Sequence, residues 1–348
     1  MEPPGAVLQD HAVAVRDGLI EAVLPRAAAE TRFPSYALQL LDEHVLIPGL
    51  VNAHSGATAG AMPGAMPGAW PRMLSGGTTC FNDSCLFPEA ALEAALDAGM
   101  RICVGMIVSE APSAYAADPD DYLAKGLALR DRRREHARVS FCLAGQPALS
   151  DESLRKLAKI AAEVQVPVHL DLRADLQGTA IGRLRQLGLL GPELSAVHAV
   201  PLEESEIALL ARHGASVVHC PSSSLLQSRG FAPLARMAAA GINLALGTDA
   251  AASGRLDMLG EMRLAALLAK AIAAGPAAIP AHAALRAATL GGARALGLES
   301  QIGSIVPGKA ADLAAVRVAG EDPVSELLYV SGEQQVSHVW VEGRRRLP

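Results

Sequence analysis

The sequence predicts an α/β protein, a (β/α)8 (TIM) barrel with a small composite β-sandwich built from both chain ends. Three observations lead to this prediction. Between residues 50 and 249, a short apolar run rich in β-branched residues and then an Ala/Leu/Glu-rich segment recur eight times. The longer segments place apolar residues at i, i+3 and i+4, which is typical of amphipathic helices. Both chain ends alternate apolar and polar residues, as hairpin strands do.

Eight apolar runs form the predicted barrel strands. Their length and continuity suit strands that are buried on both faces. The runs are Leu50–His54, Thr78–Asp83, Ile102–Val108, Val139–Ala144, Val166–Leu172, Ser195–Val200, Ala215–Pro221 and Asn243–Asp249. Helices are predicted between them, the clearest being Pro88–Ala98, Asp151–Val164, Glu203–His213 and Leu256–Ala274.

The flanking segments, residues 6–47 and 305–347, are predicted to pair into the β-sandwich. We therefore expect three divisions of the chain: residues 1–48 and 301–348 in the sandwich, and residues 49–300 in the barrel. The tandem repeat GAMPGAMPGA at residues 60–69 cannot form a regular helix. It lies where the first barrel helix should begin, so we expect that helix to be truncated.

Composition excludes several functional classes. With 51% hydrophobic and 19% charged residues among 348, the chain is too apolar to be disordered and long enough to bury a large core. A net charge of −6, with only short Arg runs, predicts no nucleic-acid partner. No apolar run is long enough to span a membrane and no signal peptide is evident, so we expect a soluble cytoplasmic protein without a membrane partner. The five cysteines show no C-x-x-C spacing, which favours reduced thiols in the core.

Polar side chains gather where the predicted strands end. In a (β/α)8 barrel, the carboxyl ends of the strands form the face that carries the active site. The residues at these ends are His54, Asp83, His169, Asp171, His198, His219 and Asp249. Imidazoles and carboxylates at one barrel face predict a site for metal binding or acid–base chemistry.

Six motifs carry a resemblance to a known family. They are PGLVNAH (48–54), SGGTTCFND (75–83), VHCPSSSL (218–225), LGTDAAAS (246–253), ATLGGARALGL (288–298) and IGSIVPGKAADL (302–313). The chain resembles the amidohydrolase superfamily, most of all the bacterial methylthioadenosine/S-adenosylhomocysteine deaminases of its chlorohydrolase-like branch. The resemblance covers nearly the whole chain. It implies a barrel of amidohydrolase type, a homodimer, and a heterocyclic or nucleoside-like small-molecule ligand.

The resemblance also implies a metal site, which this sequence matches only in part. Family members hold one Zn²⁺ or Fe²⁺ with an H-x-H, a His in an H-x-x-E, and an Asp. His54 matches the first His of H-x-H, but Gly56 replaces the second. Asp171 stands at the metal-binding His position, and Ala174 stands at the position of the Glu that shuttles the proton. The metal-site motifs are therefore degenerate, and a metal is expected either to be absent or to bind at low occupancy.

Other positions of the family pattern are retained. His198 matches the His that polarises the reacting group, and Asp249 matches the Asp that binds metal and accepts a proton. We take Asp249, His198, Asp171 and His219 as candidate catalytic residues. The candidate substrate-binding residues are His169, Arg173, Ser223 and Asp83, and the candidate metal ligands are His54, Asp171 and Asp249, with His198 as a further possibility.

We interpret the chain as a descendant of a purine-nucleoside deaminase that has lost deamination and retains a binding or subunit role. Two alternatives remain open. One is a metal-independent isomerase, cyclase or lyase whose acid and base come from the Asp/His cluster. The other is a weak metal-dependent hydrolase or deaminase that acts on a C–N bond of a heterocycle.

Overall fold

The computed structural model describes residues 6–58, 68–145, 149–172, 180–200, 202–273, 275 and 278–347. Most of the Gly/Met/Pro repeat lies outside these residues, and so do Arg173 and Ala174.

The strands form three sheets. In chain order they are β1 His11–Arg16, β2 Leu19–Pro25, β3 His44–Pro48, β4 Leu50–Asn52, β5 Thr78–Ser84, β6 Arg101–Val108, β7 Val139–Gly145, β8 Val168–Asp171, β9 Leu194–Val197, β10 Ser216–His219, β11 Asn243–Leu246, β12 Leu313–Arg317, β13 Val336–Val341 and β14 Arg344–Arg345. Strands β4 to β11 form one eight-stranded sheet in chain order, and all its neighbouring pairs are parallel.

Helices follow most of the barrel strands. They are α1 Arg26–Arg32, α2 Ala69–Ser75, α3 Pro88–Asp97, α4 Pro119–Arg133, α5 Asp151–Val164, α6 Ala180–Gln186, α7 Glu204–His213, α8 Pro221–Leu226, α9 Leu234–Ala239, α10 Ala250–Ser253, α11 Met258–Ala273, α12 Ala281–Arg286, α13 Gly292–Ala295 and α14 Pro323–Tyr329, with a π-helical turn at Ala287–Gly291. None of the helices in the described part of the chain is long and apolar enough to cross a membrane.

The ring of strands is completed by backbone hydrogen bonds just beyond β4 and β11. The amide of Ala53 donates to the carbonyl of Leu246 (2.9 Å), and the amide of Asp249 donates to that of His54 (2.9 Å). The predicted (β/α)8 barrel is confirmed, since each of the eight predicted runs contains most or all of one barrel strand. Because the carboxyl ends of parallel strands lie at one face of the barrel, this closure brings the ends of the first and last strands together.

Five strands, β4 and β8 to β11, are shorter than the apolar runs that predict them, and for three of these the local reason is visible. β8 begins at Val168 because Pro167 has no amide hydrogen to donate. β9 ends at Val197 because His198 takes a left-handed backbone conformation (φ 66°). β11 ends at Leu246, shortly before Asp249, which is also left-handed (φ 41°).

A four-stranded sheet joins the two ends of the chain, as predicted. Its order is β14-β13-β12-β3, so a strand from the N-terminal part pairs with strands from the C-terminal part. The β1–β2 hairpin packs on it through a small core that includes Ile20, Leu313 and Trp340. A buried ion pair connects this unit to the barrel, because Arg101 Nε at the start of β6 lies 3.0 Å from Asp312 Oδ2.

The main core lies between the barrel and its helices. Trp70 of α2 is buried there and stacks on Phe81 of β5, with ring centroids 4.9 Å apart. α2 therefore packs against the barrel wall although it has only seven residues. All five cysteines are buried and free, which agrees with the expectation from their spacing.

Candidate metal centre

His54, His198 and Asp249 meet at the carboxyl end of the barrel. They follow β4, β9 and β11, and each offers a ligand atom that lies within 4.8 Å of the other two. His54 Nε2 is 3.9 Å from Asp249 Oδ1, and His198 Nε2 is 3.6 Å from Asp249 Oδ2. We call these three residues the triad. Asp249 and His198 are almost fully buried, and His54 retains 14% of its side-chain exposure.

The backbone of the triad is strained at two positions. His198 and Asp249 both have positive φ, and so does Ala199 (φ 48°). Non-glycine residues seldom adopt this conformation, which costs about 1–3 kcal/mol where it persists. Such strain is common where a side chain must be aimed at a site rather than continue the strand alternation.

A polar frame behind the triad joins the first and last strand ends. Asn52 Nδ2 donates to Thr248 Oγ1 (2.8 Å), and the amide of Thr248 donates to Asn52 Oδ1 (3.1 Å). Thr248 Oγ1 also donates to the carbonyl of Ser55 (3.1 Å). All three residues are buried, so these bonds hold the segments that carry His54 and Asp249 in a fixed relation. Sequence reasoning missed Asn52 and Thr248, although both lie within two residues of a predicted ligand.

Asp249 also accepts a hydrogen bond from a side chain of α8. Ser223 Oγ donates to Asp249 Oδ2 (2.5 Å) and accepts a hydrogen bond from Gln227 Nε2 (3.1 Å). The start of α8 is anchored in turn, because the amide of Ser222 donates to Glu261 Oε2 of α11 (3.0 Å). Ser223 was predicted to bind substrate, and the structure places its hydroxyl against the carboxylate of Asp249. Substrate binding by Ser223 stays a prediction.

Two further histidines of the strand ends are buried, and burial favours the neutral form of both imidazoles. Burial lowers the pKa of His219 to about 4. Burial, and after it the neighbouring His54, lowers the pKa of His169 well below its usual range. The His169 ring stacks on that of His54 with centroids 5.5 Å apart, and neither His169 nitrogen has a hydrogen-bond partner among the residues described.

The carboxylate of Asp83 accepts hydrogen bonds from the loop that follows β4. Its Oδ1 accepts from Ser55 Oγ (2.7 Å) and from the amide of Ala57 (3.0 Å), and Thr58 Oγ1 contacts Oδ2. Burial raises the pKa of Asp83 to about 6, against these hydrogen bonds, which lower it. The structure thus places this predicted substrate-binding residue where it organises the loop after His54. Substrate binding by Asp83 stays a prediction.

Asp171 ends β8 but is not part of the triad. It is half-buried, and no metal-binding group of the described chain includes it. Its role as a metal ligand or catalytic residue therefore stays a prediction. Arg173, the remaining predicted substrate-binding residue, lies outside the described residues.

Gly56 takes a conformation that does not favour a side chain. Its φ is +62°, and a Cβ built on it would lie 3.1 Å from the amide nitrogens of Ala250 and Ala251. The backbone after His54 therefore packs closely against the start of α10. A second histidine at this position would require this loop to move.

The triad fits a divalent metal by donor type and spacing. Two neutral imidazoles and a carboxylate are a common donor set for zinc. Donor atoms around a tetrahedral Zn²⁺ lie roughly 3.3 Å apart, as Zn–N and Zn–O bonds of about 2.0–2.1 Å require. The ligand atoms that the three residues offer lie within 4.8 Å of one another, so side-chain movements would complete such a site.

Comparisons with known proteins agree with this architecture. The sequence model of the Amidohydrolase family matches residues 45–346, which is most of the chain. This chain belongs to the amidohydrolase family. Its membership confirms the family that the six sequence motifs resemble.

Two curated relatives of this amidohydrolase are named 5-methylthioadenosine/S-adenosylhomocysteine deaminase. The one from Teredinibacter turnerae is 40% identical over 292 residues, covering 78% of this chain and 66% of the relative. The one from Saccharophagus degradans is 32% identical over 394 residues, covering 99% of this chain and 88% of the relative. Both relatives are longer than the part that this chain matches.

Solved structures show the same fold. An adenosine deaminase from Xanthomonas campestris with bound zinc superposes with a TM-score of 0.89 at 36% identity, covering 99% of this chain and 90% of that one. An Escherichia coli guanine deaminase has a TM-score of 0.80 at 21% identity, covering 96% and 91%, and this likeness concerns the fold alone.

Proposed function

We propose that this amidohydrolase binds one divalent metal ion with His54, His198 and Asp249 and takes a nucleoside-like ligand at the barrel mouth, but no longer catalyses deamination. The observation that carries the proposal is that the triad is assembled, and the family resemblance puts Ala174 where the proton-shuttle Glu would stand. Relatives named as nucleoside deaminases support the ligand class.

The metal-binding part of the proposal rests on the triad, which does not include Asp171. A divalent metal, when bound, supplies the Lewis acidity that activates water for attack on an aromatic C–N carbon. His54 and His198 would bind it as neutral imidazoles. Asp249 would bind it with one carboxylate oxygen while Ser223 holds the other at 2.5 Å. This division of the carboxylate fixes its orientation, as second-layer hydrogen bonds do in metal sites.

The proposed loss of deamination rests on the absence of a group for proton transfer. Hydrolysis of a ring C–N bond requires a group that carries a proton to the ring nitrogen, and such general acid–base assistance contributes about 10²–10⁴ in rate. Alanine cannot carry a proton. Burial lowers the pKa of both His219 and His169, which favours the neutral imidazole over an acid that could donate a proton. They are suited to binding a polar ring edge rather than to acid catalysis.

One alternative keeps catalysis without a metal. The same mouth holds Asp171, Asp249, His198 and His219, which could act as acid and base in an isomerase, cyclase or lyase reaction. The spacing of the triad favours the metal-binding proposal over this alternative.

Metal content and ammonia release test the proposal together. Protein purified without chelator is incubated with Zn²⁺, Fe²⁺ or Mn²⁺, desalted, and analysed for metal per chain by plasma mass spectrometry. We expect about one metal per chain in the wild type, loss in His54→Ala and Asp249→Ala, and no loss in His282→Ala, an exposed histidine of α12. The same samples are assayed for ammonia release from 5′-methylthioadenosine and S-adenosylhomocysteine.

The outcomes separate the two halves of the proposal. Ammonia release at least 10²-fold below that of the Saccharophagus degradans relative agrees with the loss of proton transfer. Release within tenfold of that relative would show that deamination survives. Metal well below one per chain under every loading would refute the triad as a metal site and favour the metal-free alternative.

A further inference from the structure

One cationic side chain near the strand ends, the partly exposed Arg229, is not used by the proposed metal site. Arg229 follows α8, and its Nη2 contacts Gln227 Oε1. Its other terminal nitrogen, Nη1, is buried and has no hydrogen-bond partner in the described part of the chain. A buried guanidinium donor without an acceptor is costly, so such a group calls for a functional explanation.

Arg229 lies at the functional face of the barrel. The next residue, Gly230, approaches the end of β9, since a Cβ built on it would lie 3.6 Å from Val200 Cγ1. Val200 is two residues from His198 of the triad. The segment after α8 therefore crosses the strand ends rather than the outer surface of the barrel.

Electrostatics around Cys220, the residue that follows β10, agree with this placement. Burial is the main reason that the pKa of the Cys220 thiol is raised. The pKa is raised further by Asp249, Glu261 and Asp171, and it is lowered by Arg229. The positive charge of Arg229 thus acts on the same strand end as Asp249 and Asp171.

A hydrogen-bond chain joins Arg229 to the triad. Arg229 Nη2 donates to Gln227 Oε1, Gln227 Nε2 donates to Ser223 Oγ, and Ser223 Oγ donates to Asp249 Oδ2. The Gln227 amide spaces the guanidinium from Asp249, so the two charges do not neutralise each other directly. An arginine held on one nitrogen, with the other left over, is suited to a planar or tetrahedral oxyanion.

We propose that Arg229 is a specificity-determining residue that binds an oxyanion, a carboxylate or a phosphate, on the tail of a ligand whose heterocycle lies at the triad. This inference rests on the proposed function, because it assigns the far end of the same ligand. Arg229 acts by binding and does not take part in proton transfer.

Binding calorimetry on the full, zinc-loaded chain tests Arg229 with three probes. They are 5′-methylthioadenosine, which carries no anionic group, S-adenosylhomocysteine, whose zwitterionic tail carries a carboxylate beside an ammonium group, and adenosine 5′-monophosphate, which carries a phosphate. We refer to the last two as the anionic probes because each bears an oxyanion. We expect the wild type to bind at least one anionic probe at least tenfold more tightly than the neutral one, and the preferred probe identifies the oxyanion.

Three variants separate Arg229 from general electrostatics. Arg229→Gln should weaken the preferred anionic probe about 10- to 100-fold, as expected for loss of a charge-assisted hydrogen bond, and change the neutral probe less than twofold. Arg229→Lys keeps the charge without the planar fork and should fall between the two. Arg255→Gln removes an equal charge from an exposed residue after α10 and should leave the preference intact.

The results that overturn the inference differ from those that overturn the proposed function. If the wild type binds the neutral probe as tightly as both anionic probes, or if Arg229→Gln weakens all probes equally, Arg229 does not select an oxyanion. If no probe binds, both proposals fail. Should Arg229→Gln fail to fold, Arg229→Lys decides, because it keeps the charge without the planar fork; binding of the preferred anionic probe as tightly as by the wild type would then refute the role of the guanidinium.

Discussion

Glu261 provides the most quantitative prediction, which concerns the pH dependence of stability. Its side chain is almost fully buried in α11 and accepts a hydrogen bond from the Ser222 amide at 3.0 Å. Burial is the largest influence on this carboxyl and raises its pKa from 4.5 to about 7. The folded protein therefore keeps this proton over a pH range in which the unfolded chain has released it.

The sign follows from proton binding in the two states. Between pH 4.5 and about 7 the folded state binds more protons at Glu261 than the unfolded state, so stability falls as pH rises. The stabilisation is complete below pH 4.5 and is lost as pH rises through 7. Since one pKa unit corresponds to about 1.4 kcal/mol, the cost of ionising Glu261 above pH 7 is of the order of 3 kcal/mol.

Glu261→Gln removes the titration and keeps an oxygen that can accept from Ser222. We expect the variant to match the wild type at pH 5 and to exceed it at pH 8.5 by about 3 kcal/mol in free energy of unfolding. For a chain of this length, that difference raises Tm by about 4 °C. Urea unfolding and thermal scans at both pH values measure it, with Glu30→Gln on exposed α1 as the control for loss of one carboxylate.

The decisive quantity is the difference in free energy of unfolding between Glu261→Gln and the wild type, and how that difference changes from pH 5 to pH 8.5. An advantage that is the same at pH 5 and pH 8.5 would refute the reasoning. A variant that is less stable than the wild type at pH 8.5 would show that the fold stabilises Glu261 as an anion.

Three further predictions concern the metal site and the link between barrel and terminal sheet. Ser223→Ala should weaken zinc binding about 10- to 100-fold in chelator competition, and unchanged affinity would show that the hydroxyl does not orient Asp249. Gly56→His should not raise the metal content per chain and should lower stability by about 1–2 kcal/mol, because a side chain at this left-handed position crowds the amides of Ala250 and Ala251; higher metal content would contradict this. Asp312→Ala should lower the free energy of unfolding by about 3 kcal/mol in urea, since Arg101 would remain buried beside it without its main partner; a loss below 1 kcal/mol would argue against that dependence.

Local sequence patterns predicted the elements and the face that carries the site. Apolar runs predicted all eight barrel strands, because continuous apolar segments between helices are the signature of strands buried on both sides. The strand ends His54, His198 and Asp249 were all named from their positions after these runs. Their place at one face follows from parallel strands, whatever the details of packing.

The frame around the triad could not be predicted in the same way. Asn52 and Thr248 are 196 positions apart, and only closure of the barrel makes them hydrogen-bond partners. Ser223 and Asp83 were named as contacts to substrate, since sequence shows that a polar side chain is near the mouth but not which neighbour it reaches. Their hydrogen bonds to Asp249 and to the loop after His54 depend on side-chain directions set by non-local packing.

The sequence by itself determined the barrel, the composite terminal sheet, the family and the set of polar residues at the barrel mouth. Tertiary structure decided which of those residues form the triad. Asp171 is the last residue of β8, whereas His198 and Asp249 turn through left-handed backbone positions that bring their side chains within 3.6 Å of each other. That difference arises because the conformation beyond a strand end depends on the segments that pack against it, and no local periodicity records it.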